Sequence, residues 1–211
     1  MLSRIAGRGF VNALDVGCGE GRFCRIMRAA GILPVGLDPT PPLLEEARQR
    51  DPLGDYRLGH AEKLEFEAES FDLVVSYLTL IDIGDFRRAI GEMGRVLRPG
   101  GTLLIANLTS FTSACAAQGW IRDDKGRPLH YPLDRYLEEF PYTAEWSGMR
   151  VTNWHRPLGA YIAAFLELGL QLAFFAEPEP ASAEKSDQET YRRAPWFVVM
   201  EWRRPGETRP A

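Results

Sequence analysis

A loop with three glycines at alternate positions is the feature of this sequence that most restricts its fold. Gly17, Gly19 and Gly21 follow an apolar segment, residues 11–16, and precede a helical pattern. We interpret the segment as a buried first strand, since it is short, apolar and bounded by glycine. Glycine allows a sharp turn and lets a ligand approach the backbone. The order strand, glycine loop, helix favours a ligand site, and the alternative is a turn that only packs the strand on the helix.

The rest of the chain repeats the alternation of strands and helices. We predict seven strands, at residues 11–16, 33–37, 55–58, 71–77, 102–107, 170–176 and 196–202. Amphipathic helical patterns occupy residues 19–30, 40–50, 85–97 and 157–168. Such alternation indicates βαβ units with right-handed crossovers, and the last two strands, which no helix separates, should pair antiparallel. The predicted fold class is α/β: a Rossmann-like, doubly wound, mostly parallel seven-stranded sheet with an antiparallel last strand.

Residues 108–156 do not follow this alternation. The stretch is too long for a plain loop, so we predict an inserted, substrate-capping segment within a single domain, 1–211. Its aromatic side chains indicate either a pocket for an apolar substrate or a small separate core. Residues 142–155 are partly alternating, which predicts a β-hairpin.

Composition and charge exclude several functional classes. The net charge is −4 and the basic clusters are short, so nucleic acid is an unlikely partner. No apolar run approaches the length of a membrane span, and the N-terminal residues lack the apolar core of a secretory signal. The three cysteines have no paired spacing, which favours a reducing, cytoplasmic location. No spacing of cysteine and histidine predicts a metal site.

Two acidic residues narrow the identity of the ligand. The loop lacks the Gly-Lys-Ser/Thr of a Walker loop, and its third glycine comes one position too early for a dinucleotide fingerprint. Asp15 would repel a pyrophosphate but suits an ammonium or sulfonium group. Asp38 ends the second predicted strand, 21 residues after Gly17, where a carboxylate can accept hydrogen bonds from both ribose hydroxyls. S-adenosylmethionine, a nucleoside with cationic groups and no phosphate, fits both acids.

With these residues in place, the chain resembles the class I S-adenosylmethionine-dependent methyltransferases, most closely their type 11 small-molecule group. The similarity is carried by LDVGCGEGRF (14–23), VGLDPTPPLLEEAR (35–48), GHAEKLEFEAESFDLVVS (59–76), EMGRVLRPGGTLLIAN (92–107) and NWHRPLGAYIAAFLELGL (153–170). The resemblance implies a helical lid before the first strand. Because only about ten residues precede that strand here, the lid is expected to be absent, cut away or replaced by 108–156.

The resemblance also implies a role for each matching position. The expected cofactor contacts are Asp15, Gly17, Gly19 and Gly21 to the methionine part, Asp38 to the ribose hydroxyls, Pro39, Ala61 and Glu62 to the adenine, and Ser76 near the transferred methyl. Tyr77, which ends the fourth strand beside Ser76, is expected to face the transferred methyl and is a catalytic candidate.

Methyl transfer from a sulfonium is an in-line displacement in which the protein supplies alignment and excludes water. An acceptor of high pKa also needs a general base. His155, which precedes the helix predicted at 157–168, is the first candidate for a base or a substrate contact, and the alternative is that it caps or packs that helix. His60 and His130 are expected to be non-catalytic.

Three functional hypotheses remain at this point. The first is a methyltransferase that uses S-adenosylmethionine and a small-molecule acceptor. The second is a non-catalytic protein that binds S-adenosylmethionine, and the third is a methyltransferase for RNA or protein. The chain is expected to be a monomer or a homodimer.

Overall fold

A seven-stranded sheet forms the centre of the protein. The computed structural model describes residues 1–115, 119–146, 149–179, 188–189 and 192–206. The strands of the sheet are β1 (Asn12–Val16), β2 (Leu33–Asp38), β3 (Asp55–Leu58), β4 (Phe71–Tyr77), β5 (Leu97–Leu108), β10 (Gln171–Ala176) and β11 (Phe197–Arg203). Their order is β3-β2-β1-β4-β5-β11-β10. Strands β1 to β5 run parallel and β11 is antiparallel to both neighbours, so the predicted fold class is confirmed.

Helices cover both faces of the sheet. They are α1 (Arg22–Ala29), α2 (Pro41–Arg50), α3 (Phe86–Val96), the short α4 (Ser110–Ala114) and α5 (Leu158–Glu167), and a 3₁₀ turn spans Leu2–Arg4. In the described part of the chain, none of the helices combines the length and the apolar character that crossing a bilayer requires.

Alternate residues of the central strands supply two separate cores, as the two-residue period of a strand requires. Leu14 and Val74 pack with α3 and α5 on one face. Ala13 and Leu73 pack with α1 and α2 on the opposite face, where Ile5 of the N-terminal segment joins them. Residues 1–10 therefore help to cover the same face of the sheet as α1 and α2.

Two predicted boundaries differ from the structure by three residues or more. Helix α1 begins at Arg22 and not at residue 19, because Gly19 and Gly21 have φ values of 53° and 76° and so lie outside the helical region. Strand β5 begins at Leu97 and not at residue 102, because Leu97 already pairs with Phe71 of β4.

The segment 108–156 contains two small hairpins in addition to α4. Strands β6 (Ile121–Arg122) and β7 (Pro128–His130) form one, and β8 (Phe140–Trp146) and β9 (Met149–His155) form the other. The hairpin predicted at residues 142–155 is confirmed, although residues 147–148 and 116–118 lie outside the described residues.

Buried Arg156, directly after β9, fixes the loop that follows β4. Its guanidinium donates to the carbonyl oxygens of Leu80 at 2.9 Å and Gly84 at 2.9 Å, and also to that of Ile83. The backbone N–H of Trp154 donates to Ile81 at 2.7 Å. These contacts tie the second hairpin to the carboxyl end of the sheet, where the candidate site lies.

Candidate functional site

The loop between β1 and α1 is held open by backbone and carboxylate contacts. The N–H groups of Gly17 and Cys18 donate to the Leu37 carbonyl at 2.7 and 3.0 Å. Asp38, at the end of β2, accepts from the Gly19 N–H at 2.9 Å with one oxygen and from the Thr40 N–H at 2.9 Å with the other. Asp38 thus braces the glycine loop and the start of α2 together.

The three glycines of the loop serve different purposes. All three have positive φ, which disfavours any other residue. A Cβ on Gly17 would lie 2.1 Å from the Thr79 side chain, and one on Gly21 would lie 2.5 Å from the Tyr56 hydroxyl. A Cβ on Gly19 would meet no atom within 4 Å. Gly17 and Gly21 are therefore required by packing, whereas Gly19 presents bare backbone to open space.

Asp15 is a buried carboxyl group with an unused oxygen. Only 1% of the residue is exposed. One oxygen accepts a hydrogen bond from the Cys24 thiol at 3.4 Å, and the other, Oδ1, has no partner among the described residues. Burial raises the pKa of Asp15 to about 7; the Cys24 hydrogen bond acts in the opposite direction, and the negative charge of Asp38 adds to the rise. A cationic ligand group would satisfy this oxygen and favour its ionised form.

A cavity of about 800 Å³ opens beside this loop. Its volume lies within the range of small-molecule sites. The described residues that line it are Met1, Leu2, Ser3, Asp15, Gly17, Cys18, Gly19, Glu20, Arg22, Phe23, Ile26, Tyr77, Leu78, Ala106, Pro178, Phe197 and Val199. Polar groups of the glycine loop thus form one part of the wall, and apolar side chains form most of the rest.

Tyr77 reaches this cavity and Ser76 does not. Tyr77 is 42% exposed, and its ring stacks on Phe23 of α1 with centroids 5.6 Å apart. Ser76 is fully buried, as expected for the neighbouring residue of a strand, which points to the opposite face. Leu78, directly after Tyr77, has a φ of 58°, which is rare for a residue other than glycine. This backbone conformation turns the chain sharply at the cavity wall.

The positions expected near an adenine lie apart from that cavity. Pro39 is exposed, Glu62 is half-buried and Ala61 is buried in the core. These three residues do not line the 800 Å³ cavity, and neither do Asp38 and Gly21. The predicted site residues are therefore divided. Asp15, Gly17, Gly19 and Tyr77 line one cavity, and the other predicted residues do not line it.

The structure does not bring His155 to the cavity. The residue is fully buried, and its ring Nδ1 lies 2.8 Å from the Ser113 hydroxyl while Nε2 lies 2.9 Å from the Tyr136 carbonyl oxygen. Burial lowers the pKa of His155, and Phe140 packs on the ring at 5.0 Å. With both nitrogens occupied, the geometry favours the packing alternative over a general base.

Aromatic residues of the segment 108–156 form a separate cluster. Trp120 and Tyr131 have ring centroids 5.0 Å apart, and Arg193 lies over the Trp120 ring at 4.8 Å. They help to line a smaller cavity of about 340 Å³, together with His130. No described residue of 108–156 lines the 800 Å³ cavity.

Sequence reasoning missed several lining residues that come from outside the glycine loop and β4. These are Met1, Leu2 and Ser3 from the N-terminal segment, Pro178 after β10 and Phe197 at the start of β11. No local pattern marks them, because their position depends on contacts between distant parts of the chain. Across the described residues, no group of three or more His, Cys, Asp or Glu side chains is arranged to hold a metal ion.

Comparison with known proteins gives three kinds of match: a family model, solved structures and curated relatives. A family model described as a methyltransferase domain matches residues 14–105. The solved structure of an S-adenosylmethionine dependent methyltransferase from Mesorhizobium loti is 30% identical, with a TM-score of 0.82 over 95% of this chain and 92% of that one.

Curated relatives match over a shorter length. The malonyl-[acyl-carrier protein] O-methyltransferase of Salmonella typhimurium is 38% identical over 120 residues, which are 57% of this chain and 48% of that protein. The enzyme of the same name from Yersinia pestis is 35% identical over 122 residues, 58% of this chain and 45% of that protein. The chain spans about half the length of the curated relatives it matches.

Proposed function

The chain belongs to the S-adenosylmethionine-dependent methyltransferases, and from this premise we propose that it transfers a methyl group to a small-molecule acceptor in the 800 Å³ cavity. One observation carries the proposal: the unpartnered oxygen of Asp15, the open backbone of Gly19 and the ring of Tyr77 belong to a single cavity. A site for a cationic cofactor and a site for an apolar acceptor are thus adjacent, as displacement at a methyl group requires.

The residues of the loop fit the cofactor. When bound, S-adenosylmethionine supplies an electrophilic methyl group on a positively charged sulfur. We assign its methionine part to Asp15, Gly17 and Gly19, since a buried carboxylate with one oxygen that has no partner among the described residues favours a cation. Asp38 retains lone pairs for the ribose hydroxyls. The proposed adenine contacts are Pro39, Ala61 and Glu62, and Gly21 is the proposed loop contact. Because the Ser76 side chain points to the opposite face of the sheet, the contact proposed for Ser76 is through its backbone at the strand end.

The acceptor part of the cavity is mostly apolar. The stacked rings of Phe23 and Tyr77 line one part of it, and Phe197 and Val199 of β11 line another. Such walls exclude water from the reacting atoms and hold an apolar body by contact area. The ring of Tyr77 is the group we place next to the reacting atoms.

A transfer assay tests the proposed function. Protein incubated with S-adenosylmethionine labelled in its methyl group and a panel of small acids, phenols and amines is expected to label at least one of them. Tyr77→Ala should lower turnover by roughly 100-fold, because the wall that aligns the acceptor is lost, whereas Tyr77→Phe, which keeps the ring, should stay within about threefold. Tight cofactor binding without transfer to any compound, a metabolite extract included, would favour the non-catalytic alternative.

Cofactor affinity should depend on pH through Asp15. Its pKa of about 7 leaves it largely protonated in mildly acidic solution, and only the ionised form attracts a cation. Affinity for S-adenosylmethionine measured by calorimetry is therefore expected to rise about tenfold between pH 6 and pH 8, with release of a proton on binding.

Asp15→Asn is the matched control for this pH dependence. The variant should bind more weakly and without the pH-dependent step. A wild-type affinity that stays flat over the same range would contradict the placement of the cationic group beside Asp15.

A further inference from the structure

Arg22 lies at the wall of the cavity and has no hydrogen-bond or ion-pair partner among the described residues. It is the first residue of α1 and is exposed. The two other arginines of the helix are paired: Arg25 lies 2.6 Å from Glu20 and Arg28 lies 3.3 Å from Asp51. Among the described lining residues, Arg22 is the only arginine or lysine. The unpaired guanidinium of the helix is thus the one that faces the cavity.

The acidic residues of the cavity do not neutralise Arg22. Glu20 is already engaged by Arg25 at 2.6 Å and by Arg50 at 2.8 Å. Asp15 accepts a hydrogen bond from Cys24 with one oxygen, and its other oxygen is the one assigned to the cationic group of the cofactor. An anionic ligand group would therefore find a free cation on this wall.

The groups next to Arg22 define the rest of the ligand. Ile26 is four residues further along α1 and therefore lies on the same side of the helix, and both residues line the cavity with Phe23. We propose that Arg22 binds a carboxylate of the acceptor, which is therefore an apolar organic acid whose body lies against Phe23 and Ile26. This inference rests on the proposed function, since it takes the cavity to be the acceptor site.

A carboxylate fits this wall better than a phosphate. A guanidinium offers two parallel N–H donors, which match the two oxygens of one carboxylate. A phosphate carries more charge, and the described lining residues offer no second arginine or lysine for it. Arg22 would select the acceptor by charge and would leave the cofactor contacts of the glycine loop unaffected.

Paired probes of equal shape test the inference. Cinnamate with cinnamamide, 4-hydroxybenzoate with 4-hydroxybenzamide and octanoate with octanamide are titrated by calorimetry into protein saturated with S-adenosylhomocysteine. The wild type is expected to bind at least one acid about tenfold more tightly than its amide. Arg22→Gln should reduce this preference to about twofold or less. Arg28→Gln, on the same helix but away from the cavity, should retain it.

Three results would overturn the inference. If Arg22→Gln keeps the preference for the acid, another group binds the carboxylate. If no acid binds to the wild type, the cavity does not take an acceptor of this class. Weaker S-adenosylhomocysteine binding in Arg22→Gln would assign the guanidinium to the carboxylate of the cofactor instead. The proposed function would fail in a different way: the wild type would bind the acids but would transfer no methyl group.

Discussion

Replacement of Asp38 by alanine is expected to weaken S-adenosylmethionine binding by roughly 100-fold. The carboxylate braces two segments at once, since it accepts from Gly19 at 2.9 Å and from Thr40 at 2.9 Å, and it is only 6% exposed. Alanine leaves both N–H groups without their acceptor, so the glycine loop loses its support together with the proposed ribose contact. Each lost charged hydrogen bond contributes about 1.5–3 kcal/mol. Titration calorimetry measures the effect directly.

Two further variants separate the ribose contact from general damage. Asp38→Asn keeps one acceptor oxygen, so its affinity should lie between those of the wild type and the alanine variant. Asp55→Ala removes an exposed carboxylate on β3 that pairs with Arg57 at 2.7 Å, and it should not alter affinity. If Asp38→Ala unfolds cooperatively and still binds with wild-type affinity, the ribose assignment is wrong.

The central part of the fold could be predicted because it depends on local sequence patterns. Short apolar runs predicted the strands, and Gly31 and Gly169 predicted the ends of α1 and α5. The glycine loop with Asp15 and Asp38 could also be recognised, since a loop after a first strand and an acid at the end of the second have fixed positions in this kind of sheet. The boundaries at Gly19 and Gly21 were missed because their left-handed backbone is not apparent from helical spacing.

The acceptor side of the site could not be predicted for a different physical reason. The wall formed by Met1, Leu2 and Ser3 depends on contacts to β11, nearly the whole chain away. His155 shows the same limit, because its burial depends on Ser113 and Tyr136, which are 42 and 19 residues distant. A histidine beside a helix near a site looks the same in sequence whether its ring nitrogens are free or occupied.

Glu201 is the residue through which the N-terminal segment is attached to the sheet. Its side chain is fully buried on β11. Arg4 donates to it with Nε at 2.9 Å and Nη2 at 2.6 Å, and Arg8 with two nitrogens at 2.8 and 2.9 Å. Arg4 also lies over the ring of Phe174 at 4.3 Å. Burial acts to raise the pKa of Glu201, but the hydrogen bonds from Arg8 and Arg4 outweigh it and hold that pKa below its ordinary value.

Glu201→Gln is therefore expected to lower the free energy of unfolding by about 3 kcal/mol, because it removes the buried counter-charge of Arg4 and Arg8, and of the more exposed Arg203 at 3.4 Å. For a chain of this size the melting temperature should fall by roughly 6–12 °C. The lowered pKa of Glu201 also determines how its contribution to stability depends on pH. The contribution of Glu201 is present above its unfolded pKa and is lost as the pH falls through the folded value, so acidification should narrow the difference between variant and wild type.

A surface ion pair provides the matched control. Glu69 lies 2.6 Å from Arg204, but its side chain is 46% exposed, and pairs of this kind contribute about 1 kcal/mol at most. Glu69→Gln should change the melting temperature by no more than about 3 °C. The double variant Arg4→Gln, Arg8→Gln should be at least as unstable as Glu201→Gln, because among the described residues it leaves the buried carboxylate with only the longer, exposed contact to Arg203 at 3.4 Å.

Glu201→Gln should also release the N-terminal segment under conditions in which the rest of the protein is still folded. Residues Met1–Ser3 of the cavity wall are held next to the sheet through Arg4, so loss of the ion pair should release this segment while the glycine loop on β1 and α1 stays in place. Trypsin is then expected to cleave the variant after Arg4 and Arg8 well below its melting temperature, at sites that the wild type protects. S-adenosylhomocysteine affinity should change less than twofold. A variant that melts within about 2 °C of the wild type and resists cleavage would mean that apolar packing of Ile5 and Phe10, and not the ion pair, holds the segment.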